Sequence, residues 1–347
     1  MNYKYDLNDI SLVPAVQSDI ITRKSIDTKQ VINGQKYLPI IVSPMDTVID
    51  EKNYNLYLEN NLMVCIPRGL NLDKSKIVDR HKESAFFSYS MTDFKDLLDQ
   101  RHDFPNAVLV DLANGHISII SDLIKIFKAL NPKKKIMVGN IANPETYRVL
   151  SLAGADYIRV GIGVGSACLT SVHTSIHYPM ASLLIECRKI QTDLKIQSKN
   201  HAKIVGDGGF REYSDIIKGL ALGADFIMCG SALNKCLESS GDMYFCGFKV
   251  SNKLGTFLYS KGFKVFKKFR GMSTKEVQKK WNKKELRASE GIVTKQEIRY
   301  DLRGWVRNLD DYLRSSMSYC NKDNILSFIG KVEFIYITQN AYNRFIK

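Results

Sequence analysis

Eight short apolar runs recur along the first two thirds of the chain, each after turn residues and before a stretch of helix length with amphipathic spacing. They are Pro39–Ser43, Leu62–Ile66, Ala85–Tyr89, Ala107–Asp111, Lys135–Gly139, Asp156–Val160, Lys203–Gly206 and Asp225–Cys229. Runs with apolar residues on both faces predict parallel strands buried on both sides, with helices filling the intervals. One such helix can be read in detail: Asn143 is its N-cap, Pro144 its first residue, Tyr147 and Leu150 lie on its apolar face, and Gly154 ends it. Eight consecutive strand–helix units, with no GxGxxG motif opening the series, predict an α/β fold of the (β/α)8 barrel type rather than an open doubly wound sheet. The reading is one domain over 1–347. Its barrel core spans about 38–240, a basic hairpin or flap about 244–300, and a C-terminal helix and tail 301–347.

Composition narrows the class. A chain of 347 residues, 44% hydrophobic and 25% charged, can bury a large core and is not disordered. No apolar stretch reaches the length of about 18 residues that spans a bilayer. The first residues, Met1 to Asp6, lack a signal-peptide pattern, so the cytoplasm is the expected location and no membrane partner is expected. Seven cysteines without a CxxC pair indicate neither a disulfide framework nor zinc. The net charge of +14 implies a phosphorylated or polyanionic partner. Between Lys249 and Arg303 sixteen basic residues face five acidic ones, so that segment is either a solvated helical face or an electropositive lid over a phosphorylated ligand. It carries no nucleic-acid-binding signature. Within it, Phe263, Val265 and Phe266 with Lys264, Lys267 and Lys268 read as a strand beside a basic surface, while Trp281 and Trp305 read as packing anchors.

Barrel enzymes place their chemistry on the loops after the strands. Here those loops carry Pro44-Met45-Asp46-Thr47, Leu112-Ala113-Asn114-Gly115-His116, Asn140, the long run Gly161 to Thr170, Asp207-Gly208-Gly209, and Gly230-Ser231. The glycines after strands seven and eight suit a phosphate approached by backbone N–H groups. Cys168 ends the glycine-rich run and is the best nucleophile candidate, with a structural turn as the competing reading. Gly161, Gly163 and Gly165 could instead turn carbonyl oxygens toward a monovalent cation, and spacing alone does not separate these uses. His173, His177 and His201 show no metal-ligand spacing.

Val160-Gly161-Ile162-Gly163-Val164-Gly165-Ser166-Ala167-Cys168-Leu169-Thr170 resembles the catalytic-cysteine loop of the inosine monophosphate dehydrogenase and guanosine monophosphate reductase family. Further motifs follow in that family's order, among them Ser43 to Val48, Asp111 to His116, Asp207-Gly208-Gly209, Arg270-Gly271-Met272-Ser273 and Glu290-Gly291. Arg287-Ala288-Ser289-Glu290-Gly291 and the short interval between Met272 and Glu290 are nearer the reductase than the dehydrogenase. No regulatory module fits between strands two and three. The resemblance implies NADPH-dependent reductive deamination of GMP to IMP through a cysteine thioimidate, in a homotetramer. The alternatives are an NAD-dependent IMP dehydrogenase with a shortened flap, or a purine-nucleotide-binding protein without turnover. By the same resemblance Cys168, Thr170 and Glu290 are catalytic, and Ser166, Asp207, Gly208, Gly209, Gly230, Ser231, Gly271, Met272, Ser273, Arg287, Ser289 and Gly291 bind the nucleotide. Asp111, Leu112, Ala113 and Gly161 bind NADPH, with Ser315, Ser316, Ser318 and Tyr319 reached from the same or a neighbouring subunit. Potassium is held by carbonyls of Gly163, Gly165 and Cys168. The chain departs from the family pattern at Val164, Leu169, Ser171, Met180 and Ser231.

Overall fold

The eight apolar runs become eight parallel strands in the computed structural model, which describes residues 3–70, 72–274, 276–277 and 290–344. They are β1 (Ile40–Val42), β2 (Met63–Ile66), β3 (Ala85–Tyr89), β4 (Ala107–Asp111), β5 (Lys135–Ile141), β6 (Tyr157–Val160), β7 (Lys203–Asp207) and β8 (Phe226–Cys229). Each pairs with the next in sequence, and β8 closes on β1 with Met228 opposite Ile41, giving a closed parallel barrel. Side chains alternate across each strand. Met63, Phe86, Leu109, Met137, Tyr157, Val205 and Met228 fill the interior, while Val64, Val108, Val138, Ile158 and Ile204 pack outward under the helices.

The helix after β5 runs from Pro144 to Ala153 with Asn143 accepting from the Glu145 N–H, and Gly154 ends it at φ +110°. The interval 67–84, expected to be helical, instead holds two short 3-10 turns, Lys74–Lys76 and Asp79–His81. Its apolar residues are too few to make a helical stripe, and of Ile77 and Val78 only Ile77 is buried. A small hairpin, Gln30–Ile32 with Gln35–Tyr37, turns at Asn33-Gly34 and carries Tyr37 into the interior cluster.

After β8 the basic segment is more than a hairpin. Strands β9 (Met243–Phe245), β10 (Phe248–Val250), β11 (Phe266–Arg270) and β12 (Val293–Glu297) form an antiparallel sheet in the order β10-β9-β11-β12, with a helix at Asn252–Ser260. Among its described residues the segment is therefore largely sheet rather than one helical face. A C-terminal helix, Leu302–Tyr319, lays Leu302, Trp305, Leu309, Leu313 and Met317 on the barrel, with the Trp305 ring 5.9 Å from that of Tyr213. Trp305 is the packing anchor its sequence context suggests; Trp281 lies outside the described residues. The chain ends meet where Ile10–Leu12 pairs with Phe334–Tyr336.

Candidate active site

A cavity of about 710 Å³ opens at the C-terminal ends of the barrel strands. Its wall on one side is the loop from Gly161 to Leu169. The Cys168 N–H donates to the Gly165 carbonyl at 3.0 Å, which turns the loop so that the thiol faces the cavity. The loop is laced to the segment before β12, because Leu169 N–H donates to the Glu290 carbonyl at 2.7 Å and Ile292 N–H to the Ala167 carbonyl at 3.1 Å. That lacing places the Glu290 carboxylate beside Thr170. The Cys168 thiol then donates to Thr170 Oγ1 at 3.3 Å, and the Thr170 hydroxyl donates to Glu290 Oε2 at 2.6 Å. A thiol, a hydroxyl and a carboxylate thus form one hydrogen-bonded series, a route along which a proton can pass between sulfur and carboxylate.

Cys168 is half-buried, unlike most of the other cysteines. Burial pushes the thiols of Cys65, Cys187, Cys229 and Cys236 well above the ordinary range, so those four are inert packing groups.

Beside the cysteine loop, Gly208, Gly209, Gly230 and Ser231 line the cavity together with Gly271, Met272 and Ser273 from the turn after β11. Ser166 Oγ donates to Ser231 Oγ at 3.1 Å and so joins the cysteine loop to the turn after β8. Asp207, Asp111, Leu112, Ala113 and Gly161 also face this space. Gly291 stands behind it, paired with Cys168 across an antiparallel bridge. Ser315, Ser316, Ser318 and Tyr319 are not brought to this cavity within the chain; they sit at the end of the C-terminal helix, where the Tyr319 and Ser318 carbonyls accept from Ala15 N–H and Ser18 Oγ. Arg287 and Ser289 lie outside the described residues. His173, His177 and His201 are exposed. Among the described residues no group of three or more His, Cys, Asp or Glu is placed to hold a metal.

The unusual residues of the loop have specific partners. Ser171 Oγ donates to the Gly163 carbonyl at 2.7 Å, and Met180 is fully buried with its methyl group close beneath Gly161.

A model of the IMP dehydrogenase / GMP reductase domain matches residues 87–344. GMP reductase 2 of Bos taurus is 28% identical over 357 residues, covering 97% of this chain and 95% of that protein. The GMP reductases of Shouchella clausii and Clostridium acetobutylicum are each 28% identical, covering 99% of this chain and 98% of theirs. The chain belongs to the IMP dehydrogenase / GMP reductase family.

For a member of this family, two charged residues on the cavity floor went unread in the sequence: Arg68 and Arg159. Arg159 sits inside an apolar strand, two residues after the inward-facing Tyr157, so strand alternation alone points it into the barrel. A charged residue at an inward position of a buried strand was the available signal. Arg68 follows β2 and pairs with Asp111 at 3.3 Å, a contact that only the closed barrel creates.

Among the described residues no helix is long and apolar enough to cross a membrane.

Proposed function

We propose that this chain is an NADPH-dependent GMP reductase, an oxidoreductase that converts GMP to IMP and ammonia. The observation that carries the reading is the hydrogen-bonded series from Cys168 through Thr170 to Glu290 at the edge of a cavity large enough for a nucleotide. In this mechanism the thiol proton moves through Thr170 to Glu290, leaving a thiolate that adds to C2 of the guanine ring. The same proton returns through Thr170 to the 2-amino group, which departs as ammonia and leaves a thioimidate on Cys168. NADPH, when bound, supplies the hydride for C2. The carbon–sulfur bond then breaks, IMP departs, and the released thiolate takes a proton from solvent to restore the thiol. The nucleotide phosphate takes backbone N–H groups of the glycine turns after β7, β8 and β11, and Asp207 takes the ribose hydroxyls.

The residues facing the remaining space fit a dinucleotide, because Asp111, Leu112 and Ala113 line the same cavity and Arg68, paired with Asp111, adds a cationic side chain there. Gly163, Gly165 and Cys168 fit potassium, whose fixed charge would order the cysteine loop. The Gly163 and Gly165 carbonyls each accept one internal hydrogen bond and keep a second lone pair. In the proposed homotetramer, Ser315 to Tyr319 are offered to a neighbouring copy's site.

The test is loss of NADPH absorbance in purified protein with GMP and potassium, run beside IMP with NAD. NADPH consumption that requires GMP is expected, with none in C168A and a kcat about 100-fold lower in T170V at little change in KM. NADH formation from IMP would instead make the chain a dehydrogenase.

A further inference from the structure

The floor of the cavity is crossed by an alternating row of charges. Arg68 Nε lies 3.3 Å from Asp111 Oδ2, Arg159 Nη1 donates to Asp111 Oδ1 at 2.7 Å, and Arg159 Nη2 donates to Asp207 Oδ2 at 2.8 Å. Asn140 Nδ2 donates to the same Asp207 oxygen at 2.7 Å and to the Gly161 carbonyl at 2.8 Å. Asp111 and Asp207 end strands β4 and β7, and Arg159 reaches both from β6, which lies between them. Burial works against the charge of Arg159, but the Asp207 and Asp111 carboxylates more than restore it and raise its pKa. The guanidinium is a rigid plane with separate donors for separate acceptors, so its two ends cannot turn independently.

We propose that Arg159 is a positioning residue that links the two ligand subsites, so that filling the Asp207 side changes affinity at the Asp111 side and the reverse. The proposal rests on the assignment of Asp207 to the nucleotide and Asp111 to the dinucleotide made above. A ribose that draws Asp207 toward it tilts the guanidinium plane and with it the Asp111 carboxylate. A lysine keeps the charge but has a single nitrogen on a flexible stem and lacks the fork, so it holds the carboxylates without joining them.

The experiment is equilibrium binding of GMP with and without saturating NADP+, a pair that cannot react, in wild type and R159K. In wild type NADP+ is expected to change the GMP Kd about fivefold or more, and GMP to change the NADP+ Kd by the same factor. In R159K that factor falls toward one while both ligands still bind. In D111N, which weakens the Arg159–Asp111 contact and leaves the contact of Arg159 with Asp207 in place, the mutual factor is likewise expected to fall toward one with GMP still bound; it serves also if R159K fails to fold. Binding of both ligands to wild type without mutual effect, or an unchanged factor in R159K, overturns the linkage and leaves the proposed reaction standing. Failure of GMP or NADP+ to bind wild type overturns both.

Discussion

Lys267 belongs to a run of basic residues that reads as solvated surface, yet the alternation of β11 turns it inward beside Phe269, and it is only 1% exposed. Its ammonium donates to the Ser239 carbonyl. Burial pushes its pKa down to about 8, with Glu238, Cys236 and Asp50 opposing the fall. Because the folded value lies below the ordinary 10.5, the unfolded chain binds more protons between the two values, and stability rises with pH across that window. Below pH 8 the cost of burying the charge is felt in full, on the order of 3 kcal/mol. Thermal unfolding of wild type against K267M is therefore expected to show wild type gaining on the variant between pH 8 and about 10. A constant difference across that range would mean that Lys267 is not the titrating group. Neither this lysine nor Arg159 was legible as buried from composition. Both follow from strand parity once neighbouring apolar residues fix which face is inside.

Strand β6 and the cysteine loop meet at Gly161, whose φ is +131° and whose missing side chain is required by the close approach of β7. A Cβ there would lie 2.2 Å from the Asp207 carbonyl oxygen and 2.7 Å from the Met180 methyl. The G161A substitution is expected to push β6 from β7, lowering stability by about 2 kcal/mol or more and reducing activity further by displacing Cys168. A melting temperature within a degree or two of wild type would show that the junction yields more easily than its packing indicates. The barrel strands were readable in the sequence because burial on both faces leaves unbroken apolar runs such as AVLV before Asp111. The cysteine loop was readable because its glycines and Cys168 stand together in the sequence. The interval 67–84 was not, since short 3-10 turns leave no periodic stripe, and the sheet around β11 was read only as a hairpin or flap with one strand, since β11 pairs with β9 and β12 across long separations. The Asn33-Gly34 turn was a local signal that went unread.

At the scale of the whole molecule, the +14 charge is concentrated after the barrel rather than spread over it. Part of it is already matched. Arg270 pairs with Asp46 and Glu276, Lys268 with Glu276, and Lys249 with Asp242, which pins the base of the sheet to the loop after β1. Matched pairs contribute little long-range field, so the field that a dianionic nucleotide meets comes from the excess. That field reaches about 10 Å at 0.1 M salt and about 3 Å at 1 M, whereas contacts between the glycine turns and the phosphate, as proposed above, act at contact distance and would be screened far less. Capture should therefore weaken with salt while chemistry does not. With potassium held constant and choline chloride raised from about 0.02 to 0.5 M, the KM for GMP is expected to rise roughly 3- to 10-fold with kcat nearly unchanged. Binding of guanosine, which has no phosphate, should stay flat over the same range. A KM for GMP that also stays flat would assign capture to the turns after β7, β8 and β11 alone, and leave the basic sheet with no part in it.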